Sequence, residues 1–319
     1  MVIAFFGTPQ FAVPALETLT ASRHQVAIVI TQPDRRRGRG QKVTDAPVKA
    51  AARQRGIPVY QPDRLRNPEV IDTLRGYSPD IGVVAAYGKL IPANLLSLPR
   101  LGMVNVHASL LPKHRGAAPV HRAIINGDTE TGVTIMQVVE ALDAGDMLAK
   151  TAHPIGPDET SEELERALAG DGARLLLEVL DQIEAGTVRA VPQDSAVSTY
   201  APRLAKEEGL VDWTLPAQQI HDRVRGLYPW PHAYSFLNGE RVILLRTKVL
   251  PGGSASMATV SPRPARQPGS VEITADGIEV ITGDGRIGIT ELQPEGRRPM
   301  STRDFLAGHP MPPGATFSA

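Results

Sequence analysis

The feature that most constrains the fold is a regular alternation of short apolar runs and helical patterns in the first half of the chain. The apolar runs predict buried strands, and the segments between them are long enough for one helix each. The predicted strands are 2–6, 25–30, 58–60, 81–86 and 132–138, and the predicted helices are 11–21, 47–55, 69–75 and 119–125. Strands joined through helices favour right-handed crossovers in a doubly wound sheet. The sequence therefore predicts an α/β domain with a Rossmann-like, mostly parallel sheet.

The second half of the chain has a different pattern, in which short strands alternate with tight turns. After a predicted helix at 217–227, two strand runs flank Asn238-Gly239, a dipeptide typical of two-residue hairpins. Asp276-Gly277 separates another pair of runs, and 286–292 adds a further strand. Several short strands with such turns predict a small β-barrel, interrupted at 251–269 by a disordered excursion rich in Pro, Gly and Ser. We therefore predict a catalytic domain at 1–190, a linker at 191–205 and a barrel domain at 206–319.

Composition excludes several functional classes. The 319 residues include no cysteine, so a disulfide scaffold, a thiolate nucleophile, a cysteine-ligated zinc site and an iron–sulfur cluster are excluded. The 34 basic and 34 acidic residues balance, so net charge gives no argument for a nucleic-acid partner. Because the sequence shows neither a signal-like start nor an apolar run of about 20 residues, we expect a soluble, cytoplasmic protein without a membrane partner. We take it to be a monomer.

Asn105 and His107 are the strongest candidates for chemistry. They lie two residues apart at the end of a predicted strand, and residues at this spacing point to the same face. A carboxamide N–H stabilises a developing oxyanion and an imidazole moves a proton, which are the needs of acyl-group transfer. A loop after the predicted strand 132–138 carries Asp143 and Asp146. Either aspartate could simply cap a turn, but a carboxylate beside the imidazole would fix its tautomer and raise its basicity.

Other kinds of site fit the sequence poorly. The turn after the first predicted strand has one glycine, Gly7, and then Pro9 where a dinucleotide-binding loop needs close backbone approach. No phosphate-binding Gly-Lys-Ser/Thr loop occurs. His114, His121 and His153 have no metal-ligand spacing, so we interpret them as surface or packing residues and expect no metal.

A strongly basic segment follows the second predicted strand. With two glycines and hardly any apolar residue, it predicts an exposed, mobile loop. One interpretation is a solvated charge run; the other is a loop that binds phosphates, because guanidinium groups pair bidentately with phosphate oxygens. Its basic residues are Arg35, Arg36, Arg37, Arg39 and Lys42.

These residues together resemble the signature of the 10-formyltetrahydrofolate-dependent formyltransferases. The signature motifs are Asn105-Val106-His107-Ala108-Ser109-Leu110-Leu111-Pro112, Arg115-Gly116 and Leu142-Asp143-Ala144-Gly145-Asp146. The resemblance extends over nearly the whole chain and is greatest for the members that act on methionyl initiator tRNA, through Gly38-Arg39-Gly40, Lys206-Glu207-Glu208-Gly209 and Tyr228-Pro229-Trp230-Pro231. The chain departs from the usual pattern at Arg36-Arg37, where proline and a small residue are commoner, and at Gln41, where lysine is usual.

The resemblance implies a reaction and a set of site residues. A formyl group would pass from 10-formyltetrahydrofolate, as co-substrate, to the α-amino group of methionyl initiator tRNA, and the barrel would be an OB-like tRNA-binding domain. Asn105 would donate to the oxyanion, His107 would stabilise that oxygen and move a proton to N10, and Asp143 would orient the imidazole. The expected folate-binding residues are Tyr87, Gly88, Leu90, Ser109, Leu110, Leu111 and Pro112. The expected tRNA-binding residues are Arg35, Arg36, Arg37, Arg39, Lys42, Lys206 and Arg225.

Two other functions stay open from the sequence. A related formyltransferase could act on a small amine such as an amino sugar nucleotide, which predicts no long basic segment after Asp34. An RNA-binding module without catalytic activity is the other, and it leaves Asn105, His107 and Asp143 without a role.

Overall fold

The computed structural model describes residues 1–34, 36–37, 42–251, 267–275, 277–312 and 314–318, with backbone alone at 36–37 and 42–43. In chain order the elements of the first half are β1 (Val2–Gly7), α1 (Val13–Thr20), β2 (Gln25–Ile30), β3 (Arg36–Arg37), β4 (Lys42–Val43), α2 (Pro47–Gln54), β5 (Val59–Tyr60), α3 (Pro68–Gly76), β6 (Ile81–Ala85), α4 (Ala93–Leu96), β7 (Met103–His107), β8 (Arg115–Gly116), α5 (Pro119–Ile125), β9 (Glu130–Gln137) and β10 (Met147–Pro154). Those of the second half are α6 (Ser161–Ala185), β11 (Tyr200–Ala201), α7 (Ala217–Gly226), β12 (Ala233–Leu237), β13 (Glu240–Leu250), β14 (Val271–Thr274), β15 (Gly277–Ile281), β16 (Arg286–Pro294), β17 (Met300–Ser301), α8 (Thr302–Gly308) and β18 (Phe317–Ser318).

The chain divides into two compact units, each made of three segments. The first unit comprises Met1–Pro119, Glu130–Pro154 and Leu164–Pro202. The second unit comprises Val120–Thr129, Ile155–Glu163 and Arg203–Ala319.

The first unit is built on a seven-stranded sheet in the order β10-β9-β7-β6-β1-β2-β5. The strands from β5 to β7 are parallel, whereas β9 is antiparallel to β7 and β10 is antiparallel to β9. The five predicted strands and four predicted helices are all present, with ends that differ by a few residues at most. The predicted Rossmann-like, mostly parallel fold is therefore confirmed. The edge strand β10 was not predicted, because its partly exposed residues break the apolar pattern.

Burial of the central strands explains why their sequences are continuously apolar. In β1, Ile3 to Phe6 are at most 1% exposed, and every residue of β6 is buried. A strand covered on both faces needs apolar side chains at every position instead of an alternating pattern. Proline at the first position begins α2 and α3, where the missing N–H has no helical partner to lose.

The second unit contains an antiparallel sheet in the order β14-β15-β16-β13-β12-β18, with β17 paired to β16. The long strand β13 shifts register against β16 on both sides of Arg246, and such bulges bend a strand and increase its twist. A bridge between Ser270 and Thr316 then joins the two ends of the sheet. The predicted small, OB-like barrel is confirmed as this curled sheet. At the predicted hairpin, Asn238 and Gly239 have φ angles of 53° and 83°, as a type I′ turn requires.

Two segments inside the predicted domain 1–190 belong to the second unit because they pack on α7. Nδ1 of His121 lies 2.8 Å from the carbonyl oxygen of Gly226, and Arg225 Nη1 donates to the carbonyl of Gly156 at 3.1 Å. Most of the predicted excursion 251–269, and Asp276 of the second predicted turn, lie outside the described residues. Among the described helices, none combines the length and apolar character needed to cross a bilayer.

Candidate active site

The predicted catalytic residues Asn105 and His107 lie on β7, next to β6 on one side and β9 on the other. The pleat of β7 places both side chains on the same face. Asn105 is half-buried, and no described residue forms a hydrogen bond with its carboxamide. His107 is 6% exposed. The Asn105 amide can therefore form hydrogen bonds with a ligand, whereas the His107 imidazole is buried.

The surroundings of His107 assign different roles to its two ring nitrogens. Nε2 lies 3.0 Å from the carbonyl oxygen of His114. Because a carbonyl oxygen only accepts hydrogen bonds, Nε2 carries a proton and Nδ1 is the nitrogen that gains or loses one. Nδ1 lies 3.8 Å from Oδ2 of Asp143, a distance that suits an ion pair with an imidazolium but is long for a hydrogen bond.

Asp143 reaches His107 by a route that the sequence did not indicate. Because β9 is antiparallel to β7, its last residue Gln137 pairs with Val104 near the start of β7. The loop after β9 then returns toward His107, and Gly116 N donates to Oδ2 of Asp143 at 2.9 Å. Asp143 itself adopts a left-handed conformation with φ 48°. The structure thus brings the three predicted catalytic residues into one region.

Gln193 ties the Asp143 loop to the segment that follows β7. Its Nε2 donates to the carbonyls of Asp143 at 2.9 Å and Gly145 at 2.7 Å, and its Oε1 accepts from Arg115 Nε at 3.0 Å. Gln193 was not predicted as a site residue, because it lies in a connector without periodicity or a motif of its own. His114 was interpreted only as a surface or packing residue, so the contact of its carbonyl with His107 was not predicted either.

The predicted folate-binding set divides into accessible and inaccessible side chains. Tyr87 is 1% exposed, its ring packs edge-on against Phe6 at 5.7 Å between centroids, and burial raises the pKa of its hydroxyl to about 12. The Tyr87 carbonyl accepts from Gln32 Nε2 at 2.7 Å. The Tyr87 side chain is therefore part of the core, so any contribution of Tyr87 to a folate pocket would come from its backbone. Gly88 and Leu90 are exposed, Leu90 by 72%.

The segment after β7 is partly interior. Ser109 and Leu111 are fully buried, and the Ser109 hydroxyl donates to the carbonyl of Lys113 at 2.6 Å. Leu110 and Pro112 are half-buried. Within this predicted folate-binding segment, only Leu110 and Pro112 thus present side-chain surface to a ligand.

A cavity of about 240 Å³ lies where β1, β2 and β6 end. It is lined by Thr8, Pro9, Gln32, Pro33, Asp34, Thr44, Ala46, Ala86, Tyr87 and Gly88. The Asp34 carboxylate accepts a hydrogen bond from the buried Lys49 ammonium, which lowers the pKa of Asp34. Lys49 also pairs with Asp45 at 3.1 Å. One buried ammonium therefore holds both ends of the basic segment, beside this cavity.

The predicted tRNA-binding residues have different positions. Arg35 and Arg39 lie outside the described residues, and Arg36, Arg37 and Lys42 fall on β3 and β4, which form a short antiparallel pair. Lys206 is exposed in the second unit.

Arg225 does not fit the tRNA-binding prediction. It is 6% exposed, and its guanidinium donates to Asp222 Oδ1 at 2.8 Å and to the carbonyls of Gly156 and Glu159. The guanidinium therefore stabilises the second unit from within and has no free face for a phosphate. We remove Arg225 from the expected tRNA-binding set.

One group of described residues has ligand atoms close enough together for a metal ion: His24, Asp181 and Glu184. The Arg23 guanidinium already lies 2.8 Å from a carboxylate oxygen of both Asp181 and Glu184. These contacts describe an ion-pair network, in which a second cation would compete with Arg23 for both carboxylates.

Comparison with known proteins shows which family this chain resembles. The profile of the Formyl transferase family matches residues 1–180, and that of the Formyl transferase, C-terminal domain, matches residues 203–310. The methionyl-tRNA formyltransferase of Citrifermentans bemidjiense is 46% identical over 315 residues, covering 98% of this chain and 95% of the relative. That of Moorella thermoacetica is 44% identical over 314 residues, covering 98% of each.

A solved structure shares the fold at low sequence identity. It is an N-formyltransferase from Helicobacter canadensis in complex with folinic acid and dTDP-3-aminofucose, with a TM-score of 0.65 and 16% identity, covering 91% of this chain and 99% of that one. At this identity the likeness is one of fold alone. The two profile matches and the relatives aligned over nearly the full length show that this chain belongs to the formyl transferase family.

Proposed function

We propose that this enzyme transfers the formyl group of 10-formyltetrahydrofolate to the α-amino group of methionyl initiator tRNA, giving formylmethionyl-tRNA for translation initiation. Relatives named methionyl-tRNA formyltransferases are 44–46% identical over nearly the whole chain, which supports this acceptor over an amino sugar. The observation that supports this chemistry is that a carboxamide without a hydrogen-bond partner among the described residues, that of Asn105, shares a strand face with His107. The Nδ1 atom of His107 lies 3.8 Å from Oδ2 of Asp143.

A folate donor fits the family and its structural neighbours. The Helicobacter canadensis enzyme was solved with folinic acid, and HypX from Aquifex aeolicus, with a TM-score of 0.63 at 18% identity, was solved with tetrahydrofolic acid. Exposed Leu90 offers apolar surface beside the end of β6 that a flat pterin or benzoyl ring can cover. We assign Gly88, Leu90, Leu110 and Pro112 to the folate site.

The first chemical step needs an oxyanion donor and no covalent nucleophile. The neutral α-amine attacks the formyl carbon, so a carbon–nitrogen bond forms and the formyl oxygen becomes an anion. An α-amine titrates near pH ~8, which leaves a neutral fraction at physiological pH. The unpartnered N–H groups of Asn105 donate to the oxyanion, and a donor of this kind contributes about 3–4 kcal/mol to stabilising the transition state.

The second step moves a proton from the attacking amine to N10 of the folate as the carbon–N10 bond breaks. His107 Nε2 is committed to the His114 carbonyl, so Nδ1 is the nitrogen that takes up and delivers the proton. The Asp143 carboxylate stabilises the positive charge that the ring then carries. Gly116 N holds that carboxylate in place at 2.9 Å.

The aminoacyl end of the tRNA fits the cavity at the ends of β1, β2 and β6. The cavity is lined by polar groups such as Thr8 and Asp34, and the basic segment starts directly after Asp34. Phosphates of the acceptor strand would then lie against Arg35, Arg36, Arg37, Arg39 and Lys42, because guanidinium groups bind phosphates bidentately. Exposed Lys206 offers a further phosphate contact from the second unit.

The assay that tests the function follows formyl transfer from 10-formyltetrahydrofolate to methionyl initiator tRNA. Free methionine and an amino sugar nucleotide serve as competing acceptors. We expect the charged tRNA to be formylated and the small amines to be inert at equal concentration. Preferential formylation of the amino sugar would refute the proposed acceptor.

Two substitutions test the chemistry within the same assay. Asn105→Ala is expected to lower kcat by about 10²–10³-fold, and His107→Ala by about 10²–10⁴-fold. Matched controls are the exposed Asn94→Ala and the half-exposed His153→Ala, which remove the same side-chain types elsewhere in the first unit. A fully active Asn105→Ala enzyme would exclude the oxyanion role.

A further inference from the structure

Gln193 completes a ring of hydrogen bonds that joins the two chain segments flanking His107. The first segment, 114–116, offers the His114 carbonyl to His107 Nε2 and the Gly116 N–H to Asp143 Oδ2. The second segment, 143–145, carries Asp143 on the loop after β9.

The three contacts of Gln193 fix the orientation of its amide. Both carbonyl oxygens of the loop, at 2.9 and 2.7 Å, can only accept, and the Arg115 guanidinium, at 3.0 Å, can only donate. Nε2 must therefore face Asp143 and Gly145, and Oε1 must face Arg115. Both N–H groups and one oxygen lone pair of a single side chain are used in this way.

One end of the loop that Gln193 holds is exposed to solvent. Glu140, Ala141 and Leu142 are exposed, and Asp143 adopts a left-handed conformation that a non-glycine residue keeps only when its surroundings impose it. Gln193 itself is half-buried and lies outside helices and strands. Its loss should therefore loosen the loop without unfolding the first unit.

We propose that Gln193 is a positioning residue for formyl transfer, acting through Asp143. By linking the Asp143 loop to Arg115, it holds the carboxylate at the distance from His107 Nδ1 that stabilises the protonated ring. This inference rests on the proposed function, since Asp143 matters to the rate only if His107 moves the proton.

The test compares Gln193→Ala with the unsubstituted enzyme and with Gln182→Ala, which removes an exposed glutamine of α6. A misplacement of about 1 Å in an active site costs up to about 10²-fold in rate. We therefore expect Gln193→Ala to lower kcat about 10- to 100-fold, with KM for folate and for tRNA changed less than about twofold. Gln182→Ala should match the unsubstituted enzyme in both constants.

A double-mutant cycle separates positioning from general stability. In an Asp143→Ala background, Gln193→Ala should cause no further loss of kcat beyond about twofold, because residues that act as a unit are not additive. Independent, multiplicative losses would overturn the inference. So would an unchanged kcat in Gln193→Ala.

Gln193→Glu tests which contact matters. The carboxylate keeps an acceptor for Arg115 but cannot donate to the two loop carbonyls, so we expect a loss of kcat as large as for alanine. Full activity of Gln193→Glu would overturn the inference.

The same variants are also compared without tRNA, in an assay that follows the loss of 10-formyltetrahydrofolate with water as the acceptor. This assay does not depend on the proposed acceptor. If the proposed function is wrong, the unsubstituted enzyme itself transfers no formyl group to methionyl initiator tRNA. If only this inference is wrong, the unsubstituted enzyme is active and the Gln193 variants are as active as it is.

Discussion

Replacing Gly145 with alanine tests whether the position of Asp143 sets the rate of formyl transfer. Gly145 lies two residues after Asp143, and its own carbonyl is one of the two that Gln193 holds. The backbone at Gly145 passes so close to β9 that an alanine Cβ would lie 1.9 Å from the carbonyl oxygen of Gln137. The clash is with backbone, so no side-chain rotation can relieve it.

The size of the effect follows from that distance. Because Cβ atoms essentially never approach a neighbour within 3.0 Å, the loop must move away from Gln137 by at least about 1.1 Å. A displacement of that order in a catalytic group costs about 10²-fold in rate, or about 2.7 kcal/mol in activation free energy. We therefore expect Gly145→Ala to lower kcat about 100-fold.

Steady-state formylation of methionyl initiator tRNA measures the effect, and thermal unfolding shows whether the variant is folded. Gly76→Ala is the matched control, since a Cβ there meets nothing within 4 Å and its φ is not left-handed. The control should keep full activity. A folded Gly145→Ala enzyme with unchanged kcat would refute the reasoning that loop position controls the reaction.

Three further predictions concern charged side chains and their surroundings in the structure. Lys206→Ala should weaken tRNA binding and reduce the slope of log K against log salt by about 0.7–0.9, one phosphate contact, measured by filter binding across salt concentrations. Lys49→Met leaves Asp34 without its buried partner and should lower the free energy of unfolding by about 3 kcal/mol in urea titrations; an unchanged midpoint would contradict this. Arg246 holds the pKa of Glu163 at about 2, below its usual 4.5, so this pair stabilises the fold above pH 4.5 and the contribution is lost as pH falls through about 2. Because both side chains are more than a third exposed, Glu163→Gln should cost about 1 kcal/mol at pH 7, and the difference should vanish near pH 2 in chemical denaturation.

The sequence predicted the architecture well because the relevant signals are local. Burial on both faces makes β1 and β6 continuously apolar, and Asn238-Gly239 defines its own turn through two left-handed residues. Such patterns need no knowledge of distant contacts. The edge strand β10 was not predicted, because exposed and half-buried residues alternate along it and it has no strong local apolar run.

The pairing of Asn105 with His107 was also local, because residues two apart on a strand always share a face. The approach of Asp143 was predicted, but its route was not. A strand that returns antiparallel to β7 and a loop held by Gly116 N bring the carboxylate to His107. Neither the direction of β9 nor that hydrogen bond has a signature in the residues of the loop.

By itself, the sequence determined the two kinds of domain, the strand that carries the amide and the imidazole, and the kind of chemistry these groups support. Only the tertiary structure decided which nitrogen of His107 faces the Asp143 carboxylate, that the side chains of Tyr87 and Arg225 are interior, and that Gln193 holds the Asp143 loop. The physical reason is the range of the interactions. Periodicity and turn chemistry act over a few residues, whereas burial and hydrogen-bond partners depend on segments that are 50 residues apart, as Gln193 and Asp143 are, or farther, and that meet only in the folded chain.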